Sequence, residues 1–455
     1  MPLLPVFLPT DVLLWLLVIA AVGYGIYCAR RPHLAQPWSR VFRSPGAVVA
    51  GVLLGCYLLI GLADSLHFRA RLEQASASGQ AAYAPEVLSL LDVALARLRA
   101  GTERSYSAPL ATRAFVREMV EQPDGTTRRG FPRLRQGGAH LEDESQWTED
   151  IARRALLGLA CGAALWLLLL WSIRPLMRRA PAVPWRAGLI TVGVLLALSG
   201  PVVVLAGGYH VLGTDKVGQD VLLLSLKSVR TSLVIGTLTT LVILPFGITF
   251  GVVAGYFRGW VDDVIQYVYT TLNSIPGVLL IAAAVLMMQV YVDSHPDLFP
   301  TAAQRADLRL LFLCIILGVT SWTGLTRLLR GETLKLAELE YVQAAHAFGV
   351  SHGRVLSRHL VPNLMHIVVI SVAIDFSTLV LTEAVLSYIG VGVDPTTVSF
   401  GTMINGARLE MSREPIVWWS LSAAFVFMFT LVLSANLLAD AVRDAFDPRV
   451  RIGVA

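Results

Sequence analysis

Residues 187–207 read AGLITVGVLLALSGPVVVLAG, a stretch with no charged side chain. About twenty such residues in a helix cross the ~30 Å hydrocarbon layer of a bilayer. Lipid offers backbone groups no hydrogen-bond partner, so a helix, which satisfies its own, is the form such a run takes. Comparable runs recur along the 455 residues, and the spans are predicted at 12–29, 46–63, 155–173, 187–207, 232–255, 267–291, 308–328, 366–390 and 417–439. With 55% hydrophobic and 15% charged residues, the composition excludes a single water-soluble core. The expected fold class is all-α, a polytopic transmembrane helical bundle of about nine spans.

The net charge of +5 matters less than its placement. Arg30, Arg31, Arg40 and Arg43 share one short loop, and Arg174, Arg178, Arg179 and Arg186 another, neither with an acidic residue. Basic residues mark cytoplasmic loops, so both are assigned to the inside. Counting onward puts the loop near Arg258, the loop 329–365 and the C-terminal tail inside as well, with the N-terminus outside. The basic residues therefore read as topology, not as nucleic-acid binding. Met1 to Thr10 carries no basic residue, so the first run reads as a retained span and not as a secretory signal. Cys28, Cys56, Cys161 and Cys314 lie in or beside apolar runs without metal-ligand spacing.

Four parts follow: two spans over 1–63, a soluble extracytoplasmic insert over 64–154, a span and basic linker over 155–186, and a six-span domain over 187–455. The insert is rich in Arg, Glu, Asp, Ser and Gln. Within it Val87, Leu88, Leu91, Leu95 and Leu98 predict a helix over roughly 85–100. Pro123-Asp124-Gly125 marks a turn, and 123–140 reads as loop.

The loop 329–365 is long and organised. Leu334, Ala337, Tyr341, Ala344, Ala345 and Phe348 recur every three or four residues, as on one face of a helix. Gly349 can end that helix in a left-handed backbone, Ser351 can cap a second, and Pro362 is expected to stop the second near Val361. A short helix, a sharp turn and another short helix would make a knob able to seat in another protein. Periodicity alone serves equally well for an amphipathic loop lying on the membrane surface.

The strings Glu340-Tyr341-Val342-Gln343-Ala344-Ala345-His346-Ala347-Phe348-Gly349 and Arg358-His359-Leu360-Val361-Pro362-Asn363 resemble the EAA loop of ABC importer permeases. In that family the loop is a coupling helix docked in a cleft of the ATPase. The resemblance implies that role for Glu340, Tyr341, Gln343, Ala344, Ala345, Gly349, Pro362 and Asn363. Gln343 replaces the motif's glutamate, and Val361 the leucine usual before the proline. Leu212-Gly213-Thr214-Asp215 with Gly218-Gln219-Asp220 resembles the LGTDxxGRD segment of the dipeptide and oligopeptide permeases, second permease type. Leu386 to Val393 resembles their LSFLGLGV stretch, and Phe446 to Arg451 their LDPRLR.

The resemblance implies a permease subunit moving di- or oligopeptides by alternating access. Its implied partners are a homologous second permease, two ATP-binding cassette ATPases and a periplasmic binding protein, in a bacterial inner membrane. Nickel or another small solute is the rival cargo. No lysine among Lys216, Lys227 and Lys335 follows a glycine, so the chain lacks a P-loop. ATP and Mg are expected on the partners, with no cofactor or catalytic residue on this chain and no metal site. A membrane sensor would need a larger cytoplasmic domain than 441–455, and an ion-driven transporter would leave the loop 329–365 unexplained.

Gly213 and Gly218 suit turns, while Asp215 and Asp220 suit caps or local backbone bonds, so Gly213, Thr214, Asp215, Gly218 and Asp220 read as a structural element at the outer mouth. Asp375 and Glu383 are ionisable residues inside a span. They are candidates for the translocation pathway, with pairing inside the bundle as the alternative. Residues 1–186 have no counterpart in the six-span pattern. The insert is expected to carry the binding protein, brace the second permease or attach a regulator.

Overall fold

The computed structural model describes residues 3–71, 83–84, 86–121, 127–179, 183–295 and 301–446. Among these, nine helical stretches are long and apolar enough to cross a bilayer. The chain folds as a helical polytopic bundle in two units. One contains Phe42–Thr231 and Val398–Ser434 with the N-terminal strand; the other contains Phe7–Val41, Ser232–Thr397 and the C-terminal end of the chain.

In the first unit, β1 (Leu3–Val6) pairs antiparallel with β2 (His67–Ala70), and β2 with β3 (Leu88–Ser89). The insert contains α4 (Leu90–Ala94), α5 (Ala96–Ala100) and the hairpin of β4 (Glu118–Glu121) with β5 (Thr127–Gly130). The single helix expected over 85–100 is thus two short ones broken at Leu95. Its start is set by a capping box, in which the Ser89 side chain accepts from the Asp92 amide and Asp92 accepts in return. Strand β5 lies in the stretch expected to be loop. The turn at Pro123-Asp124-Gly125 falls outside the described residues.

The long helices α6 (Trp147–Arg179) and α7 (Trp185–Leu205) pack along a seam of small residues. A Cβ on Gly158 would come within 2.5 Å of the Gly200 carbonyl oxygen, and one on Gly162 as close to that of Leu196. Glycine lets the backbones approach, which is how helices gain packing where lipid supplies no hydrophobic drive. Helix α3 (Pro45–Asp64) adds Tyr57, whose hydroxyl donates to the Phe427 carbonyl at 2.8 Å.

The second unit contains α1 (Pro9–Ala29) and α2 (Pro32–Val41), then α8 (Val221–Phe257) from Ser232 onward. It continues with α9 (Gly259–Ser274), α10 (Gly277–Ser294), α11 (Ala302–Ser321) and α12 (Thr323–Leu336). Then come α13 (Glu340–Ala347), α14 (His352–Val355) and α15 (Val361–Ile389). Helix α16 (Phe400–Glu410) and residues Trp419–Ser434 of α17 (Trp419–Phe446) belong to the first unit, and the rest of α17 to the second. The span expected at 267–291 is interrupted. Pro276 has no amide to continue a helix, and the chain breaks at Ile275 between α9 and α10.

Three glycines four residues apart on α8 seat α12. A Cβ on Gly247 would lie 2.6 Å from Leu325, on Gly251 2.7 Å from Leu329, and on Gly255 2.6 Å from Thr333. Asp262 of α9 accepts two bonds from the Arg330 guanidinium, both at 2.6 Å. Such paired, planar recognition fixes geometry as well as charge. Helix α12, which leads into the loop 329–365, is therefore rigidly mounted.

Candidate functional site

Three places gather the candidate residues. At the end of α12 the chain turns through Leu339 into α13. Val342 on α13 is fully buried with Val355 and Leu360, and Tyr256, Leu336, Ala345, Val350 and Leu356 pack around them. The opposite face carries Tyr341, Gln343, Ala344, Ala347 and Phe348, all exposed, with the Phe348 side chain 86% so. Gly349 ends the helix at φ +74°. The Gly349 amide donates to His346 and that of Val350 to Ala345, a six-to-one closure that returns the last carbonyls to hydrogen bonds.

Polar bonds brace the knob. Arg258 pairs with Glu338 at 2.8 Å. The Tyr256 hydroxyl lies 2.9 Å from His346 Nε2 and 2.7 Å from His352 Nδ1. The Asn363 side-chain amide donates to the Tyr341 hydroxyl at 3.1 Å and to the His359 carbonyl at 2.8 Å. Gln343 donates to the Glu338 carbonyl at 3.1 Å, and Glu340 lies exposed in the first turn of α13.

Several expectations need correction here. The helix expected through 334–348 is broken between Leu336 and Glu340, because α12 ends there. Ala345 is half-buried against the Val342 cluster, so Ala344, not Ala345, presents the small surface. Ser351 stands at the start of α14, but its side chain makes no capping bond. Pro362 does not stop the second helix. A π-helical turn over Leu356–Leu360 leads directly into α15, where Pro362 occupies the first turn, a position whose amide has no intrahelical partner anyway.

The second place is the segment 206–220. Gly213 (φ +73°) and Gly218 (φ +80°) both adopt left-handed backbone. Asp215 Oδ1 accepts from the Val217 and Gln219 amides, and Asp220 Oδ1 accepts from Leu222 at the start of α8. Thr214 is fully buried. Its amide donates to the Ser107 carbonyl, its hydroxyl to the Ser105 carbonyl, and its own carbonyl accepts from the Trp419 indole at 2.9 Å. The Glu103 amide donates to the Gly218 carbonyl at 2.9 Å, and the Leu110 amide to that of His210. The insert is thus bonded to this segment through Glu103, Ser105, Ser107 and Leu110.

Buried His210 joins them. Its Nδ1 lies 2.8 Å from Asp220 and its Nε2 3.5 Å from Glu103. Burial disfavours the imidazolium, but the bonds to Asp220 and Glu103 prevail and raise its pKa to about 9. Burial likewise opposes the Glu103 carboxylate. His210 and the amides of Arg135, Gln136 and Gly137 overcome it and bring that pKa down to about 2. Neither His210 nor Glu103 carries a local sequence signal, since 107 positions separate them.

The third place is a cavity of about 350 Å³ lined by Ser321, Gly324, Leu325, Arg327, Leu328, Ser371 and Asp375. Glu383 is not on it. That side chain is buried and accepts from the Ser387 hydroxyl at 2.7 Å, one turn on. The two span carboxylates are therefore not brought together. Ser387 in turn lies against Gly392, where a Cβ would overlap it, and Gly390 (φ +88°) ends α15. Past Phe446, the terminal motif Asp447 to Arg451 falls outside the described residues.

Residues 247–452 match the family described as binding-protein-dependent transport system inner membrane component. An oligopeptide transport system permease protein of Mycobacterium bovis is 33% identical over 245 residues, covering 54% of this chain and 78% of that one. The chain belongs to the binding-protein-dependent permease family. A glutathione transport system permease protein of Pectobacterium atrosepticum is 32% identical over 53% of this chain and 73% of its own. A dipeptide transport system permease protein of Lactococcus lactis is 30% identical over 53% and 64% respectively. A methionine ABC transporter solved in inward-facing conformations aligns at 17% identity and a TM-score of 0.38, covering 49% of this chain and 96% of the other.

This permease is accordingly a multi-pass subunit of an ATP-binding cassette importer, a class that works with ATPase and binding-protein partners. The matched residues contain the whole knob and the cavity of Asp375. The segment 206–220 and the insert precede the family match.

Proposed function

We propose that this permease pairs with a homologous second permease to form the pathway of an inner-membrane importer of di- and oligopeptides. Two ATPase subunits bind the ATP and Mg, one of them seated on α13 of this permease. The chain itself binds no cofactor and catalyses no reaction. The N-terminus lies outside and the C-terminus in the cytoplasm, which the placement of arginines supports.

The observation that carries this reading is the knob itself. An apolar side chain as exposed as Phe348 beside Ala344, on a helix anchored by Val342 and a glycine-seated α12, fits a surface waiting for a protein groove. Rigid mounting lets a push on α13 reach α12 and α15, so ATPase closure can switch the bundle between its two packings. The peptide cargo is supported by relatives whose names specify oligopeptide, glutathione and dipeptide transport. The insert is proposed to brace the outer segment, supported by its backbone bonds to residues 208–218.

The test is co-purification. Ala344→Arg places a long charged side chain on the exposed face without touching the buried anchor, and ATPase recovery with the permease should fall at least about tenfold. Unchanged recovery would refute docking through α13.

A further inference from the structure

The cavity near Asp375 falls within the candidate membrane spans that contain α12 and α15, with Asp375 half-buried and Arg327 exposed on its lining. At about 1.5 Å per residue, Arg327 stands about 13 Å before the end of α12 and Asp375 about 21 Å into α15, both counted from the knob side. Charged side chains at such depth are costly in lipid, and they face a polar cavity or a counter-charge. Neither Asp375 nor Arg327 makes a hydrogen bond or ion pair among the described residues, and they do not pair with each other although they line the same cavity. Arg330, one turn along α12 from Arg327, contrasts with it, since Asp262 occupies both arms of its guanidinium.

The cavity thus offers one free anion and one free cation held apart, with the hydroxyl-bearing residues Ser321 and Ser371 and the apolar Leu325 and Leu328 on the same lining. That is the complement of a zwitterion with an apolar body. Its volume of about 350 Å³ stands at the low end of the ~300–1,000 Å³ of small-molecule sites. We infer that this cavity receives the two ends of a short peptide in transit, the free ammonium at Asp375 and the free carboxylate at Arg327. The inference rests on the peptide-importer reading and adds a subsite to it.

The test uses the complete complex in proteoliposomes, with the binding protein saturated by each peptide so that only the later steps are compared. Uptake is measured for one dipeptide with free ends, N-acetylated and C-amidated. Blocking either end should slow uptake by about tenfold, as expected for loss of one charge-assisted bond. Asp375→Asn should abolish the discrimination at the amino end alone, and Arg327→Gln that at the carboxyl end alone. Asp375→Glu, which keeps the charge, should retain it.

Equal uptake of free and blocked peptides by the unsubstituted complex overturns the inference without any variant. Discrimination that survives both substitutions overturns it too, and would point to pairing of these charges with the second permease. Should a variant fail to assemble, a photoreactive dipeptide on the unsubstituted complex should label α12 or α15, and labelling confined to other helices counts against the site. Peptide uptake indifferent to end charge sinks the subsite alone, whereas no uptake of any peptide sinks the peptide reading with it.

Discussion

The Nδ1 of His210 lies 2.8 Å from the carboxylate of Asp220, which itself caps the start of α8. Through this contact, with Glu103 3.5 Å away on the other ring nitrogen, one imidazolium ties the insert to the start of α8.

The tie makes stability depend on pH with a calculable sign. His210 titrates near 9 when folded and near 6.5 when free, so its contribution is complete below about 6.5 and lost as pH rises through about 9. Glu103 titrates near 2 when folded and near 4.5 when free, so its contribution is present above about 4.5 and lost as pH falls toward 2. Thermal unfolding of the detergent-solubilised permease should therefore peak near pH 5–6 and weaken by pH 9, by up to ~3 kcal/mol shared among the three groups. His210→Gln should flatten the alkaline limb; an unchanged profile would show that the triad contributes nothing.

Gly218 has a second reason to be glycine. Its backbone is left-handed, and an added Cβ would overlap the Glu103 backbone. Gly218→Ala should cost more than the ~1–2 kcal/mol of left-handed strain alone. It should also open the insert to protease at residues 101–115. Wild-type melting and cleavage patterns in this variant would contradict the close approach.

On α13 the buried and exposed residues should separate. Val342→Asp puts an unpaired charge among Val355 and Leu360 and should destabilise the knob by ~3–5 kcal/mol, read as loss of protection in hydrogen exchange over 336–360. Phe348→Ala removes a side chain that is 86% exposed. It should leave that exchange unchanged while weakening ATPase recovery. Equal effects of both variants on exchange would mean that Phe348 is part of the anchor.

Pro362 should matter little. Because it sits in the first turn of α15 and ends no helix, Pro362→Ala should change stability by less than about 1 kcal/mol and leave uptake near normal. A severe uptake defect would restore it to the coupling device.

What the sequence made legible was whatever lipid or local backbone chemistry dictates. Apolar runs with few or no charges marked the spans because a helix is the backbone's solution inside a bilayer. Gly213, Gly218 and Gly349 announced turns because left-handed backbone costs glycine little. The misreadings arose where more than one local outcome was open. Pro362 is as comfortable at a helix start as it is destructive inside one, and only the π-turn before it decides. Ala345 differs from Ala344 through Val342, Val355 and Leu360 beneath it, which no periodicity reveals. Glu103 meets His210 across more than a hundred residues, a pairing that belongs to tertiary structure alone. Arg327 obeys the rule that selected Asp375, an ionisable residue within a span, and stands one residue before the end of the span expected at 308–328.

The most direct test of the account is ATP-dependent uptake of a labelled dipeptide by proteoliposomes containing the complete complex, with and without Ala344→Arg. Docking through α13 predicts uptake by the unsubstituted complex and its loss, together with the ATPase, in the variant. Undiminished uptake by Ala344→Arg, or a complex that imports nickel but no peptide, would contradict it.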